Sequence, residues 1–406
     1  MKLRRQIRKR FNSFNSIMRI LVVNYEYPPI GGGGGVVARD FSEAWAASGH
    51  EVTVVTSRYQ GLSASEQING VSIVRVRVLM RGNIQTASHA SMMSYVPSCI
   101  FKCLRSAEFL DFDIVNTHFA VPSGPAGHAI AKYLKIPNIL SIHGGDIFDP
   151  SKSLSPHKTP ILSQTVTAML NRADRVVAQS SDTRSNAIQY YNIQRAIDII
   201  PLGIKKPLIT TGSRNNPAIS ENDFVLCTIG RLIKRKNLVE LFEIIATLQD
   251  RISLKLVIIG DGLERAGLMK AAESLEMQDK VIFTGAVDDA TKFQYLKSAD
   301  IYVSTALHEG FGLVFLEAME CGLPIICYNR GGQNDFLINE KTGYLVELHD
   351  KQGFAEKIEQ LFSNPRLRST IGTFCSSHIR NYYIENCANR YIALFDEAIE
   401  AKKSRI

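Results

Sequence analysis

The sequence predicts an α/β protein made of two doubly wound, parallel-sheet (Rossmann-like) domains facing each other across a cleft. Three observations carry this. The chain has 406 residues, about two to three times the usual domain size. From about Met18 onward short apolar runs alternate with helix-period segments, the pattern of parallel sheets covered by helices. A polar stretch from Ile204 to Asp223, carrying Pro207, Gly212 and Pro217, then interrupts the alternation before a second series begins.

In chain order, Ile20 to Asn24 reads as the first strand, and the glycine run Gly31 to Gly35 leads into a helix at about Val36 to Ser48. Strands follow at Glu51 to Thr56, Val71 to Val78, Asp113 to Thr117, Asn138 to Ile142 and Arg175 to Ala178. The second series has strands at Phe224 to Ile229, Leu254 to Ile259, Val281 to Thr284, Asp300 to Ser304 and Pro324 to Cys327. The expected organisation is a basic tail over 1–17, a first domain over 18–203 and a second over 204–384. A terminal helix at about 385–406 completes the first domain. Doubly wound sheets bind ligands at the carboxyl ends of their strands, so two in tandem place a site between them.

Composition excludes several classes. With 45% hydrophobic and 21% charged residues the chain is neither disordered nor a disulfide scaffold. No apolar run approaches the roughly 20 residues of a membrane span, and the basic N-terminus is followed by no uninterrupted apolar signal segment. Seven cysteines without CxxC spacing predict free thiols in the cytoplasm, with Cys99 and Cys103 as small core residues. The formal charge of +8 belongs to the tail, because residues 1 to 19 hold seven Lys/Arg and no acid, leaving 40 basic against 39 acidic residues. Nucleic-acid binding is therefore not expected. Phe11, Phe14 and Ile17 follow six cations, so the tail reads either as a disordered arm ahead of a fold that begins at Met18 or as an electrostatic attachment to an anionic inner membrane face.

Two motifs in the second half carry chemistry. Gly230-Arg231 follows a strand at once, and Lys234, Arg235 and Lys236 precede a helix beginning near Asn237. Cations at a strand end and helix start suit a diphosphate. The other motif runs from His308 to Met319, with Glu309 and Glu317 eight positions apart. They straddle a Gly310-Phe311-Gly312 entry into a helix that stops at Gly322 and Pro324. The N–H groups near Gly312, Leu313 and Val314 face an anion. On an unbroken helix the two Cα atoms would be roughly 12 Å apart, wider than the roughly 5 to 9.5 Å between a glycosidase's carboxyl groups. Two ligand contacts, one to sugar hydroxyls and one to ribose hydroxyls, fit better than a hydrolytic pair.

Glu309 and Glu317 in this setting, Gly230-Arg231 with Lys236, Gly260-Asp261-Gly262, Gly285 and the Gly31 to Gly35 run together resemble glycosyltransferase family 4, from about Met18 to the C-terminus. The resemblance implies a retaining, nucleotide-sugar-dependent enzyme of GT-B fold, with an acceptor-binding N-terminal domain and a donor-binding C-terminal domain. It implies that Arg231 and Lys236 hold the donor diphosphate, Glu317 the ribose and Glu309 the transferred sugar. Gly310 to Val314 belong to the donor site, and backbone around Ala286 and Val287 meets the base. Two positions depart from the family pattern. Asn237 stands where glycine is frequent, and Asp335 replaces a usual glutamate.

In the first half, His143-Gly144-Gly145-Asp146 closes the strand Asn138 to Ile142, and the resemblance brings His143 to the donor sugar. His118, His128 and His157 read as structural. Gly33-x-Gly35-x-x-Ala38 formally fits a dinucleotide fingerprint, the mark of an NADP-dependent oxidoreductase, but Gly33 lies too far beyond its strand and no acid ends the second strand. Gly33, Gly34 and Gly35 are instead expected as a cleft loop whose backbone approaches a ligand closely. The expected reaction moves a sugar from a nucleoside diphosphate to a sugar or lipid-linked acceptor, in cell-surface polysaccharide or glycolipid assembly. Because Arg231, Lys236 and a helix N-terminus meet the charge of the leaving diphosphate, no metal or other cofactor is expected. A non-catalytic nucleotide-sugar-binding subunit would share Arg231 and Glu317; the presence of His143 and Glu309 favours an enzyme.

Overall fold

The computed structural model describes residues 17–84, 87–149, 155–207 and 219–404; the basic tail, with its expected membrane attachment, lies outside the described residues. Eight strands form the first sheet: β1 (Arg19–Val23), β2 (Glu51–Ser57), β3 (Ser65–Ile68), β4 (Val71–Val76), β5 (Ile114–His118), β6 (Asn138–Ile142), β7 (Arg175–Ala178) and β8 (Ile197–Ile199). Their spatial order is β3-β4-β2-β1-β5-β6-β7-β8. All pairs are parallel except β3 with β4. The run Ile20-Leu21-Val22-Val23 is fully buried, as a strand covered on both faces requires.

The second sheet takes β9 (Phe224–Ile229), β10 (Leu254–Ile259), β11 (Val281–Gly285), β12 (Ile301–Ser304), β13 (Ile325–Tyr328) and β14 (Gly343–Val346) in the order β11-β10-β9-β12-β13-β14. The strand order reverses between β1 and β5 in one sheet and between β9 and β12 in the other. A doubly wound sheet opens its ligand crevice at such a switch point.

Along the first sheet run helices α1 (Gly33–Ala47), α2 (His89–Arg105), α3 (Ser123–Leu134), α4 (Pro160–Arg172) and α5 (Ser181–Tyr190). After them come α6 (Leu238–Ala246), α7 (Arg265–Ser274), α8 (Asp289–Ser298), α9 (Leu313–Glu320), α10 (Lys351–Ser363), α11 (Pro365–His378) and α12 (Ile384–Lys403). The last helix returns to the first sheet. Trp45 of α1 lies 5.6 Å from Tyr391 and 5.2 Å from Phe395, and its indole N–H donates to the Ala388 carbonyl at 3.3 Å. Tyr391 also reaches Ser141 of β6 at 3.0 Å. Truncating so buried an aromatic costs about 3–5 kcal/mol, so Trp45 pins the end of the chain to α1.

Several elements differ from expectation. The first helix begins at Gly33 rather than Val36. The glycines form its first turn instead of a loop, because N–H of Gly35 and Val36 already bond to the Gly32 carbonyl. Strand β3 was not expected, since Ser65, Glu66 and Gln67 carry no apolar pattern. It is set by the Asn69-Gly70 turn, both residues having positive φ, the turn chemistry of a tight hairpin. Strands β8 and β14 extend each sheet by one edge strand. Cys99 and Cys103 lie on the buried face of α2, in the core, and all seven cysteines are buried and unpaired. Among the described residues no helix is long and apolar enough to cross a membrane.

Candidate active site

The second sheet supplies a charged rim. Beyond β9 the chain turns at Gly230, whose φ is +154°, and a Cβ there would lie 2.6 Å from the Lys236 Cε and 2.8 Å from its Nζ. Only glycine lets the ammonium settle against this strand end. A short 3-10 turn, Lys234–Lys236, then aims Arg235 and Lys236 at one carboxylate. Lys236 Nζ meets Glu309 Oε1 at 2.5 Å and Arg235 meets Glu309 Oε2 at 3.1 Å. Burial alone would raise the Glu309 pKa, but the two cations outweigh it and pull the carboxyl down to about 2. Glu309 is thus a buried, permanently ionised group.

Asn237 ends that turn with φ +52°, and its amide donates to Glu240 at 2.7 Å. Asparagine tolerates the left-handed region best after glycine, which reconciles this position with the family's frequent glycine. Arg231 is exposed at the end of β9 and has no hydrogen-bond or ionic partner among the described residues. The resemblance groups Arg231 with Lys236; in the fold Arg235 and Lys236 meet on Glu309, and among the described residues Arg231 stands apart from them without a partner.

Gly312, with φ +90°, starts α9, and no side chain caps the N–H groups of Leu313 and Val314. Phe315, Leu316, Ala318 and Met319 bury the other faces of the helix, so Glu317 is left toward α8. There Lys292 meets it at 2.7 Å. Burial raises the Glu317 carboxyl against the pull of Lys292. Phe311 is buried against Phe336, ring centroids 4.9 Å apart. Ala286 and Val287 follow β11; Ala286 is exposed and Val287 packs on the core.

The first sheet supplies a neutral rim. His143 follows β6, and its N–H donates to Asp146 Oδ1 at 2.8 Å while Oδ2 accepts from the Ala120 N–H at 2.7 Å. One carboxylate thereby ties the loops after β5 and β6 together. His143 Nε2 lies 2.9 Å from His118 Nδ1, and the Phe119 ring is 4.7 Å away. The outer nitrogens, His143 Nδ1 and His118 Nε2, are buried without a hydrogen-bond partner. Burial pushes the His143 pKa down to about 4 and that of His118 well down also, so both rings are neutral at neutral pH. A Cβ on Gly34 would fall 2.1 Å from the Phe119 ring. Gly33 faces open space, and Gly35 packs on the Ile30 carbonyl 3.1 Å from its Cβ position.

The two rims touch. Ser180 Oγ donates to the Gly310 carbonyl at 2.7 Å, and a Cβ on Gly310 would meet Gln179 Nε2 at 2.8 Å and the His143 carbonyl at 3.5 Å. Asp335, the family's usual glutamate, accepts from the Ser181 N–H at 2.7 Å at the start of α5. His308 pairs with Asp182 at 3.0 Å. The fold thus brings Gly34, His143, Gly310, Glu309 and Lys236 to one place, while Arg231, Glu317, Ala286 and Val287 line the charged rim farther along. Sequence reasoning missed His118 and Lys292 as partners and counted Arg235 only as part of a basic run. His118 closes β5 as His143 closes β6, a parallel that was open to reading. The chain's Asp-x-Asp triplet, Asp111-Phe112-Asp113, lies at the amino end of β5, away from the cleft. Asp111 pairs with Arg19, and Asp113 accepts from the Arg19 N–H at 2.8 Å.

Comparison with known proteins places the chain in a family. Residues 31–206 match the family model Glycosyltransferase Family 4, and residues 210–374 match Glycosyl transferases group 1. N-acetyl-alpha-D-glucosaminyl L-malate synthase of Bacillus anthracis is 25% identical, covering 93% of this chain and 97% of that protein. The sucrose-phosphate synthase structure from Thermosynechococcus elongatus has a TM-score of 0.81 at 21% identity, covering 95% of this chain and all of that one. Anabaena HepE in complex with UDP-glucose has a TM-score of 0.71 at 18% identity, covering 96% of this chain and 100% of its own. Matched through both halves and folded as two facing parallel sheets, the chain belongs to glycosyltransferase family 4 and has the GT-B fold.

Proposed function

We propose that this glycosyltransferase moves a hexose from a nucleoside diphosphate to a sugar or lipid-linked acceptor hydroxyl, with retention at the anomeric carbon. The observation that carries the reading is the Glu309 carboxylate, held ionised by Lys236 and Arg235 beside the uncapped start of α9. The UDP-glucose bound by a structural neighbour supports the donor class.

In this reading the C1–O bond to the diphosphate breaks as negative charge collects on the leaving phosphate and positive charge on the sugar ring. Arg231, Lys236 and the open N–H groups of Leu313 and Val314 meet the negative charge. Glu309 orders the sugar hydroxyls, Glu317 takes the ribose, and backbone at Ala286 and Val287 meets the base. His143, neutral because burial holds its pKa near 4, adds no positive charge beside the ring. The acceptor oxygen bonds to C1 on the face the diphosphate leaves, and its proton passes to the departing phosphate oxygen. The cations of the rim neutralise the leaving group, so the mechanism calls on no divalent metal.

The test is to incubate the enzyme with α-linked UDP-, GDP- and ADP-sugars and follow the released sugar by proton NMR before mutarotation. Retention delivers the α-anomer first. First appearance of the β-anomer, or no release of nucleoside diphosphate from any donor, rejects the reading.

A further inference from the structure

We propose that the groove between the end of β4 and helix α2 binds an anionic amphiphile, a long-chain alkyl phosphate of the kind that carries a lipid-linked acceptor. Its volume is about 760 Å³, within the range of small-molecule sites. Val74, Val76, Pro97 and Phe101 line it as an apolar floor, and Arg58 and Arg77 stand at its rim. Both arginines follow the carboxyl ends of their strands, the edge of the sheet that also carries His143.

Register sets the two arginines side by side. Ser57 of β2 pairs with Val76 of β4, and the Arg58 N–H donates to the Val76 carbonyl at 2.8 Å. Among the described residues neither side chain has a carboxylate partner: the Arg58 guanidinium donates only to the Leu62 carbonyl, at 3.1 Å, and the Arg77 guanidinium makes no polar contact. The groove's other cations are already neutralised, Arg75 by Glu66 at 2.5 Å and Lys102 by Glu108 at 2.9 Å. Two adjacent, uncompensated guanidiniums favour a phosphate, whose oxygens match their donor forks.

Met93, Pro97 and Phe101 recur every four residues along the outer face of α2, with Met93 77% and Phe101 58% exposed. Leu79 and Met80, two and three residues beyond Arg77, are 67% and 80% exposed. Exposed apolar side chains gathered on one helix face and the segment after β4 mark an interaction site. Inorganic phosphate leaves these side chains uncovered and an uncharged chain leaves the guanidiniums uncompensated; an alkyl phosphate satisfies both. The identification of the occupant as the acceptor's carrier rests on the proposed function, whereas the site itself does not.

Calorimetry on the full chain with dodecyl phosphate below its micelle concentration tests the proposal, with inorganic phosphate and dodecyl maltoside alongside. Dodecyl phosphate is expected to bind at one site at least about tenfold more tightly than either. Arg77→Glu and Phe101→Ser are each expected to weaken it by about tenfold or more, while the rise in melting temperature with nucleoside diphosphate stays unchanged. Inorganic phosphate or dodecyl maltoside binding as tightly as dodecyl phosphate overturns the proposal, as does undiminished binding in both variants. Alkyl phosphate binding without any nucleotide response supports the groove and removes the donor reading instead.

Discussion

Around β9 and β12 the cleft is lined by two ion-paired carboxylates, Glu309 with Lys236 and Arg235, and Glu317 with Lys292. Across from them, around β1, β5 and β6, stand two neutral imidazoles, a phenyl ring and the glycine start of α1. Both rims occupy the same place in the same kind of sheet, the switch point of a parallel fold. The difference therefore comes from side chains and not from topology. On the proposed function the difference fits the two halves to one breaking bond: the cations of the charged rim face the group that leaves with negative charge, and the neutral imidazoles add no positive charge beside the sugar ring.

The comparison breaks most readily at Lys236. Lys236→Ala is expected to lower kcat about 10²- to 10³-fold, the effect of removing one preorganised electrostatic partner; kcat near that of the wild type would remove Lys236 from the leaving-group site. The variant also leaves the buried Glu309 with Arg235 alone, so its melting temperature should fall as well.

The two glutamates sharpen the division within the charged rim. Glu317→Gln is expected to weaken the bare nucleoside diphosphate about 10- to 100-fold, the range of a hydrogen bond to a charged group. Glu309→Gln is expected to spare bare nucleotide and depress turnover, since its contact exists only with the sugar present. Calorimetry with nucleotide alone separates them, and equal weakening in both contradicts the assignment. On the neutral rim a single uncharged hydrogen bond is at stake, so His143→Ala is expected to lower kcat by only about tenfold.

Acid stability gives the smallest and most separable effect. The His143 pKa is near 4 in the fold and about 6.5 unfolded, so the unfolded chain binds its proton first and stability falls as pH drops from 6.5 toward 4. Glu309 is near 2 in the fold and about 4.3 unfolded; its contribution is present above that value and is lost as pH falls toward 2. Denaturant midpoints against pH should therefore flatten in the upper window for His143→Asn and in the lower window for Glu309→Gln. A variant flattening the other's window contradicts the rims' assigned charge states.

Much of the fold was legible because its strands are continuous apolar runs buried on both faces. Asn138–Ile142, Arg175–Ala178, Phe224–Ile229 and Leu254–Ile259 fall where their sequences place them. The polar hairpin strand β3 carries no such run and Asp198 interrupts that of β8; Tyr344-Leu345-Val346 of β14 is a short run between polar neighbours, and the glycines of α1 obey tertiary packing against Phe119 rather than propensity. In the site, residues joined by short motifs were readable: Glu309 beside Gly310, Lys236 near the end of β9, His143 closing β6. Pairings made across the fold were not. Lys292 reaches Glu317 over 25 positions and His118 reaches His143 over the same separation, and no local pattern announces either. Arg231 and Arg235 show the finer limit, since one turn of backbone decides which guanidinium faces the carboxylate.

On the proposed function the charged rim binds the nucleoside diphosphate and the neutral rim does not. Calorimetry with UDP, GDP and ADP on the wild type, on Lys236→Ala with Arg231→Ala, and on His143→Ala tests it most directly. One diphosphate should bind the wild type at a single site and, at about 100 times its dissociation constant, add about 2.7 kcal/mol of stability. The double variant should bind it at least about tenfold more weakly, and His143→Ala should bind it as the wild type does. Binding of none of the three, or a loss in His143→Ala equal to that in the double variant, would contradict the account.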